Sequence, residues 1–329
     1  MTATSHDVAN LAGVSQPTVS RALRGDPRVA EATRQRVLIA AADLGYVTSE
    51  VGRSLSTRST RQIAMVADLR NALYPALVGP LHDRFAEHGL RMVLLAERGD
   101  DKATYDRLLD RSVDGVILTT SLIGSSLSTG LVERGLPFIE LNRLSGRRKA
   151  YGVTADNRGG AADVAALLIA EGHRRIAAVF GDRHASTSRD REAGFRSALE
   201  RAGIELPAAR VAHGGFGYQD GEQGFAAVMS GRHRPTAIFC FGDLVAIGAI
   251  NQARRMGLSV PSDVAIVGFD DIDMAAWPCF DLNTAHVDLD DMAVAAANLL
   301  VARLGGDTSI PKTTVFPTEI VLRGTHSTS

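Results

Sequence analysis

The sequence predicts an α/β protein: a small N-terminal three-helix head followed by two doubly wound parallel sheets. Three observations predict it. The first sixty residues carry apolar positions at helical spacing between glycine and proline stops. From Gln62 onward, short apolar runs alternate with helical stretches, the pattern of parallel sheets covered by helices on both faces. A chain of 329 residues is too long for one ordinary domain and suits a small unit plus a large or bilobed one.

In the head, Thr4 followed by Asp7 reads as a variant capping box opening a first helix. Its apolar stripe is Val8, Leu11 and Ala12, and Gly13 stops it. Ser15 can cap a second helix, where Pro17 is tolerated because first-turn amides lack intrahelical partners. On that helix Val19, Ala22 and Leu23 face one way, and Gln16, Ser20 and Arg24 with Pro17 and Arg21 the other. Gly25 and Pro27 end it. A third helix turns Val37, Ala41 and Leu44 inward and stops at Gly45. Two short helices joined by a tight glycine turn, the second with a polar face, follow helix-turn-helix logic, and such a helix fits the DNA major groove. A plain three-helix bundle with a solvated polar face satisfies the same spacing.

The wording of the motif separates the two. Asp7-Val-Ala-Asn-Leu-Ala-Gly-Val-Ser-Gln-Pro-Thr-Val-Ser-Arg21, then Thr33-Arg34 and Leu44-Gly-Tyr46, closely resembles the head of the lactose-repressor (LacI/GalR) family of transcriptional regulators. The resemblance continues more loosely to nearly the end of the chain. It implies that Ser15, Gln16, Pro17, Thr18, Ser20 and Arg21 lie on the recognition helix, with Gln16, Pro17 and Arg21 discriminating operator sequences. Thr4, Arg24, Thr33 and Tyr46 would mainly make backbone-positioning contacts. Ala30 departs from a common polar cap and Thr48 from a common proline. On this basis residues 1–48 form the DNA-binding domain, 49–61 a hinge helix and linker, and 62–329 a bilobed, periplasmic-binding-protein-like effector and dimerisation domain.

The hinge, Ser49-Glu-Val-Gly-Arg-Ser-Leu55, is too short to be a stable helix alone in water. By resemblance it orders when two protomers sit together on the operator, and two copies of Leu55 wedge into the minor groove. Gly52 stands in place of the usual alanine, at up to about 1 kcal/mol of helix propensity, so ordering should depend strongly on DNA.

Ligands of doubly wound sheets bind beyond the carboxyl ends of the strands, in the crevice between lobes. Strand-end residues are therefore the candidates: Asp68 and Asn71, Asn142 and Arg143, Asp182, Arg191, Phe216, Asp243, and Asp270-Asp271 with Asp273 and Trp277. By resemblance, Asn142, Arg191, Phe216, Asp243 and Asp270 line the effector pocket, and Asn71 joins them by position. Acids, an asparagine and an arginine can bond hydroxyls, and an aromatic ring can cover an apolar face, so a sugar or related polar metabolite suits the set. Gly242 and Val287 stand where many sugar-responsive members are polar, which leaves nucleosides and acids open. Each candidate also has a structural reading. Strand-end aspartates cap helices, as Asp156-Asn157 is expected to, and Phe216 or Trp277 can be core; for Arg191 no structural need for a cation is evident.

Composition bounds the rest. Hydrophobic residues make up 45% and charged residues 22%, the make-up of a soluble globular protein. No apolar run reaches membrane-spanning length, and Met1–Asp7 has no signal-peptide character, so a cytoplasmic protein without membrane contact is expected. Residues 1–60 carry seven Lys/Arg against five acids, and the remainder 29 against 32, so the near-neutral total hides a slightly basic head. Cys240 and Cys279 read as buried free thiols. Of the aspartates at 270–273 and 288–291, Asp290-Asp291 reads better as the start of the Met292–Arg303 helix than as metal or acid/base chemistry; no nucleophile elbow or phosphate loop occurs, and Gly214-Gly-Phe-Gly217 is too weak for a dinucleotide fingerprint. No cofactor, metal or catalytic residue is expected. The reading is an effector-controlled repressor, a homodimer on a near-palindromic operator. The alternative is a cytosolic sugar-processing enzyme with an accessory helical domain.

Overall fold

The computed structural model describes residues 3–46, 59–69, 71, 73–97, 106, 108, 110 and 112–326. The chain divides into two compact units, Met1–Thr60 and Arg61–Ser329.

In the first unit α1 (Ser5–Ala12), α2 (Gln16–Leu23) and α3 (Glu31–Asp43) pack on one another. Thr4 and Asp7 form the expected reciprocal capping box, and that pairing holds the Asp7 carboxyl below its ordinary pKa. Gly13 ends α1 at φ +63°, a left-handed conformation glycine adopts without strain. The core is Val8, Ala9, Ala12, Val19, Ala22, Val29, Val37, Ala40 and Ala41. Leu11, expected inward, is 55% exposed, because α1 turns Val8, Ala9 and Ala12 to its partners instead. Ser15 stands at the start of α2 but caps no amide; its hydroxyl pairs with that of Thr18 at 2.8 Å.

The second unit contains two all-parallel sheets. One lobe has six strands: β1 (Gln62–Ala67), β2 (Arg91–Ala96), β3 (Gly115–Leu118), β4 (Phe138–Leu141), β5 (Gly152–Ala155) and β11 (Thr313–Phe316), ordered β11-β5-β4-β3-β1-β2. The other has β6 (Ile176–Phe180), β7 (Val211–His213), β8 (Ala237–Cys240) and β9 (Ala265–Val267), ordered β7-β6-β8-β9. An antiparallel pair, β10 (Thr284–Val287) with β12 (Thr318–Val321), continues the smaller sheet through bridges from Val267 to Asn283 and from Asp270 to His286. Strand cores such as Ile63–Ala67 and Ile176–Phe180 are wholly buried, as strands covered on both faces must be.

The helices explain how the lobes join. Around the first sheet lie α4 (Leu73–Glu87), α5 (Ser126–Arg134) and α10 (Leu289–Leu304); around the second, α6 (Asn157–Ala170), α7 (Ser186–Arg201), α8 (Tyr218–Met229) and α9 (Asp243–Arg255). The chain therefore crosses between lobes three times, at residues 155–157, 287–289 and 316–318. Asp156 caps α6 by accepting from Gly159 N at 2.8 Å, as expected, and Asp288 caps α10 through Asp291 N at 2.9 Å. Glycines set the helix spacing in the second lobe. A Cβ on Gly221 of α8 would lie 2.0 Å from Val245 O on α9, and one on Gly248 of α9 would lie 2.0 Å from Tyr218 O on α8. Cys240 is buried, but Cys279 is exposed, against the expectation of two buried thiols.

Candidate functional site

On the head, the outward face of α2 presents Gln16, Pro17 and Arg21 exposed, with Thr18 and Ser20 half-buried beside the buried Val19 and Ala22. Gln16 Nε2 rests on Ser5 Oγ at 3.3 Å, and Arg24 Nε donates to Ser20 O at 3.0 Å. Thr4 is exposed, and Thr33 and Tyr46 are half-buried. The Arg21 side chain makes no hydrogen bond or ion pair among the described residues, so its five donors are available to a partner. The hinge residue Leu55 and Thr48 lie outside the described residues.

In the large unit the cleft between the lobes encloses about 360 Å³, at the small end of the range for ligand pockets. From the first lobe it is lined by Asp68, Asn71, Tyr74, Glu97, Thr120, the turn at residues 122–126 and Arg143; from the second, by Asp182, His184 and Phe216. Each position follows from the strand ends: Asp68 follows β1, Glu97 follows β2, Arg143 follows β4 and Asp182 follows β6. Phe216 comes from a glycine turn held by one carboxylate, since Asp220 accepts from Gly215 N at 2.7 Å and Gly217 N at 2.9 Å. That is the role of the Gly214-Gly-Phe-Gly217 run.

The six expected effector residues separate into two groups. Asn71 and Phe216 line the cavity. Arg191, Asp270 and Asn142 form a floor behind the lining residues Tyr74 and Arg143, and Asp243 belongs to neither group. Arg191 is 1% exposed and spends its guanidinium internally: Nε to Asn157 Oδ1 at 2.8 Å, Nη1 to Phe241 O at 2.6 Å and Nη2 to Asp270 Oδ1 at 2.7 Å. It also stacks 3.7 Å from the Phe269 ring centroid. The structural need for a cation that was not evident in the sequence is thus supplied by a carboxylate 79 residues away. Burial raises the Asp270 pKa against the pull of Arg191. Asp270 adopts φ +105°, and a Cβ on Gly242 would meet its Oδ2 at 3.0 Å, so the glycine at 242 leaves room for this carboxylate. Asn142 sits at φ +71°, tolerated by asparagine, with its side chain near the Tyr74 phenol.

Asp243 requires a correction. It faces away from the cavity, 1% exposed, and accepts from Thr284 Oγ1 at 2.6 Å and Ile272 N at 2.9 Å. It ties the start of α9 to β10. Burial first, then the neighbouring Asp270 charge, push its pKa well above the carboxylate range. Trp277 is likewise neither core nor cleft, being half-exposed on the surface.

Strand-end logic named Asp68, Arg143 and Asp182 as candidates without assigning them to the pocket; it missed Tyr74, Glu97, Thr120 and His184. Tyr74 lies one helical turn past Asn71 and could have been found by that spacing. Its hydroxyl donates to Thr119 O at 3.0 Å, and burial raises its pKa. Thr120, beyond β3, donates to Glu97, beyond β2, across the end of the β1 strand that lies between them. Among the described residues no group of three or more His, Cys, Asp or Glu is placed to hold a metal ion, and no helix is long and apolar enough to cross a membrane.

Comparison with known proteins agrees with this geometry at both ends of the chain. Residues 4–49 match the model of bacterial regulatory proteins of the lacI family, and residues 165–326 match a periplasmic binding protein-like domain. The chain is 30% identical to the HTH-type transcriptional repressor CytR of Escherichia coli strain K12, over 98% of this chain and 96% of the relative. It is 32% identical to the HTH-type transcriptional regulator CelR of Thermobifida fusca, covering 96% of each. Among solved structures it resembles the CelR–cellobiose complex at TM-score 0.77 and 31% identity, over 98% of this chain and 99% of that one. A lac repressor dimer bound to operator and the anti-inducer ONPF superposes at TM-score 0.88 and 24% identity, covering 99% of each chain, a likeness of fold. These relatives are regulators and not enzymes, which removes the sugar-processing alternative. The chain belongs to the LacI family of DNA-binding transcriptional regulators, with a ligand-binding domain behind its helix-turn-helix head.

Proposed function

We propose that the protein is a repressor whose grip on a near-palindromic operator is controlled by a small polar metabolite of the sugar class bound between its lobes. The observation that carries this is the cleft. It joins carboxylates, an asparagine, an arginine and two aromatic rings in a space of ligand size, in a chain whose head presents an exposed polar face on its second helix. Carboxylates accept from hydroxyls, and aromatic faces cover the C–H surface of a sugar ring. The cellobiose bound by CelR supports a saccharide-type ligand. On this reading a homodimer in the cytoplasm places two copies of α2 in successive major grooves. Ser15, Gln16, Pro17, Thr18, Ser20 and Arg21 face the bases, and Thr4, Arg24, Thr33 and Tyr46 the phosphates. Effector binding changes the relation of the lobes and hence operator affinity, with couplings of typically 1–3 kcal/mol.

The test is selection of bound fragments from random DNA, followed by gel shifts on the recovered site. A half-site repeat spaced by about one helical turn is expected, and Arg21→Ala should lose about 1–3 kcal/mol of preference for it. Recovery of no common sequence would refute the reading.

A further inference from the structure

Arg143 and Arg191 are both buried cations of the cleft, and they differ in one respect. Arg191 has three hydrogen-bond acceptors, one of them the Asp270 carboxylate. Arg143, at the end of β4 and only 7% exposed, has no ion-pair partner and donates no side-chain hydrogen bond among the described residues; its Nε is buried without an acceptor. Two rings hold it instead. Its guanidinium carbon lies 3.8 Å from the centroid of Phe216, on the opposite lobe, and 5.7 Å from that of Tyr74. Aromatic faces favour a cation but leave its N–H donors unsatisfied. Buried charges in folded proteins are paired, and the one carboxylate of the floor that influences Arg143, Asp270, is already committed to Arg191. Arg143 therefore brings to the wall of the cavity a cation whose donors are not taken up by acceptors of the described residues.

The same cavity also carries acids. Asp68, Glu97 and Asp182 line it, with Glu97 engaged by Thr120 and Asp182 accepting from His184 N at 2.8 Å. A carboxylate has several acceptor sites and takes hydroxyl donors. A ligand matching both kinds of group has hydroxyls for the acids and a single anionic group for Arg143.

We propose that the effector is a polyhydroxy anion, a sugar acid or sugar phosphate, whose carboxylate or phosphate docks on Arg143 between Phe216 and Tyr74 while its hydroxyls meet Asp68, Glu97 and Asp182. The inference rests on the cleft being the effector site, and it narrows the effector within the sugar class. A planar guanidinium takes a carboxylate or phosphate through two parallel N–H···O bonds, which a neutral hydroxyl cannot match.

The test uses the full-length protein and matched pairs of probes by calorimetric titration and thermal shift: D-galacturonate against D-galactose, D-gluconate against D-glucitol, and glucose 6-phosphate against glucose. At least one acid should bind tenfold or more tightly than its neutral partner, and the pair that responds tells carboxylate from phosphate. Arg143→Gln should collapse that ratio toward one, and Arg143→Lys should keep part of it, because the charge remains without the fork. Neutral partners binding as tightly as the acids would overturn the inference and leave the sugar reading standing. An acid preference that survives in Arg143→Gln would also overturn it. If none of the six probes binds, the sugar reading and the inference fall together. The wild-type comparison decides the matter even if a variant at 143 proves unstable.

Discussion

Replacing Arg191 by methionine keeps most of its volume and removes its charge, and the structure specifies what is left behind. Asp270 becomes a buried carboxylate without its cation, and Asn157 Oδ1 and Phe241 O lose their donor. Breaking a buried ion pair from one side typically costs about 3–5 kcal/mol, and each orphaned acceptor about 1–3 kcal/mol. The three share one site and do not add, so about 3–5 kcal/mol is the working figure. That corresponds to a melting-point drop of roughly 6–20 °C for a unit of this size. The loss should depend on pH with a definite sign. Arg191 opposes the burial that raises the Asp270 pKa. Without it that pKa rises further, native Asp270 binds a proton the unfolded chain does not, and stability falls as pH rises. The deficit should therefore be largest near pH 8 and shrink toward pH 4. Urea denaturation of wild type, Arg191→Met, Asp270→Asn and the double variant completes a cycle. The double variant should regain much of what Arg191→Met loses. A single Arg191→Met variant within about 1 kcal/mol of wild type across that range would refute the reasoning and return Arg191 to the ligand.

Three further outcomes follow from the geometry. Gly221→Ala and Gly248→Ala each drive a Cβ to 2.0 Å from a carbonyl oxygen and should destabilise by about 1–3 kcal/mol despite a helix-propensity gain; Gly79→Ala, with nothing within 4 Å, should gain up to about 1 kcal/mol, and equal urea midpoints for all three would contradict the packing. A thiol reagent should label Cys279 alone in the native protein, because Cys240 is buried and its thiol is pushed far up in pKa; two rapid equivalents would show the second lobe to be open. Asp243 has a raised pKa, so its ionisation weakens the fold as pH rises above about 4, and Asp243→Asn should gain on wild type between pH 4 and 7; a pH-independent difference would mean that the carboxylate is not strained.

The head was almost wholly legible because its signals are local. A capping box, a left-handed glycine and a proline in the first turn each act within four residues. Leu11 was misplaced because an eight-residue helix offers two equally periodic stripes, and only the position of the neighbouring helices chooses between them. In the large unit, strand runs and the Asp156 cap were readable, but β11 was not, since an edge strand with half-exposed side chains lacks the continuous apolar run of its neighbours. The cleft was legible as a set of strand ends and illegible as a charge balance. Arg191 with Asp270, and Arg143 with Phe216, join residues far apart in sequence and brought together only by the sheets. Asp243 was misassigned because an aspartate that ties a helix start to a distant strand reads, in sequence, like one that faces a ligand.

The late return of the chain to both lobes has a consequence for how the protein is made. The head is complete as soon as its third helix has left the ribosome. The six-stranded sheet lacks its outer strand until Phe316 has been added, and the second lobe lacks the contacts of Thr325, whose carbonyl receives Ile266 N at 3.0 Å and whose hydroxyl receives Asn283 N at 2.8 Å. A nascent chain short of those last residues thus carries a finished DNA-binding head on two open sheets, each with an unpaired edge that can recruit another strand. At synthesis rates of about 5–20 residues per second that window lasts on the order of ten seconds or more, and it exposes the large unit, not the head, to aggregation.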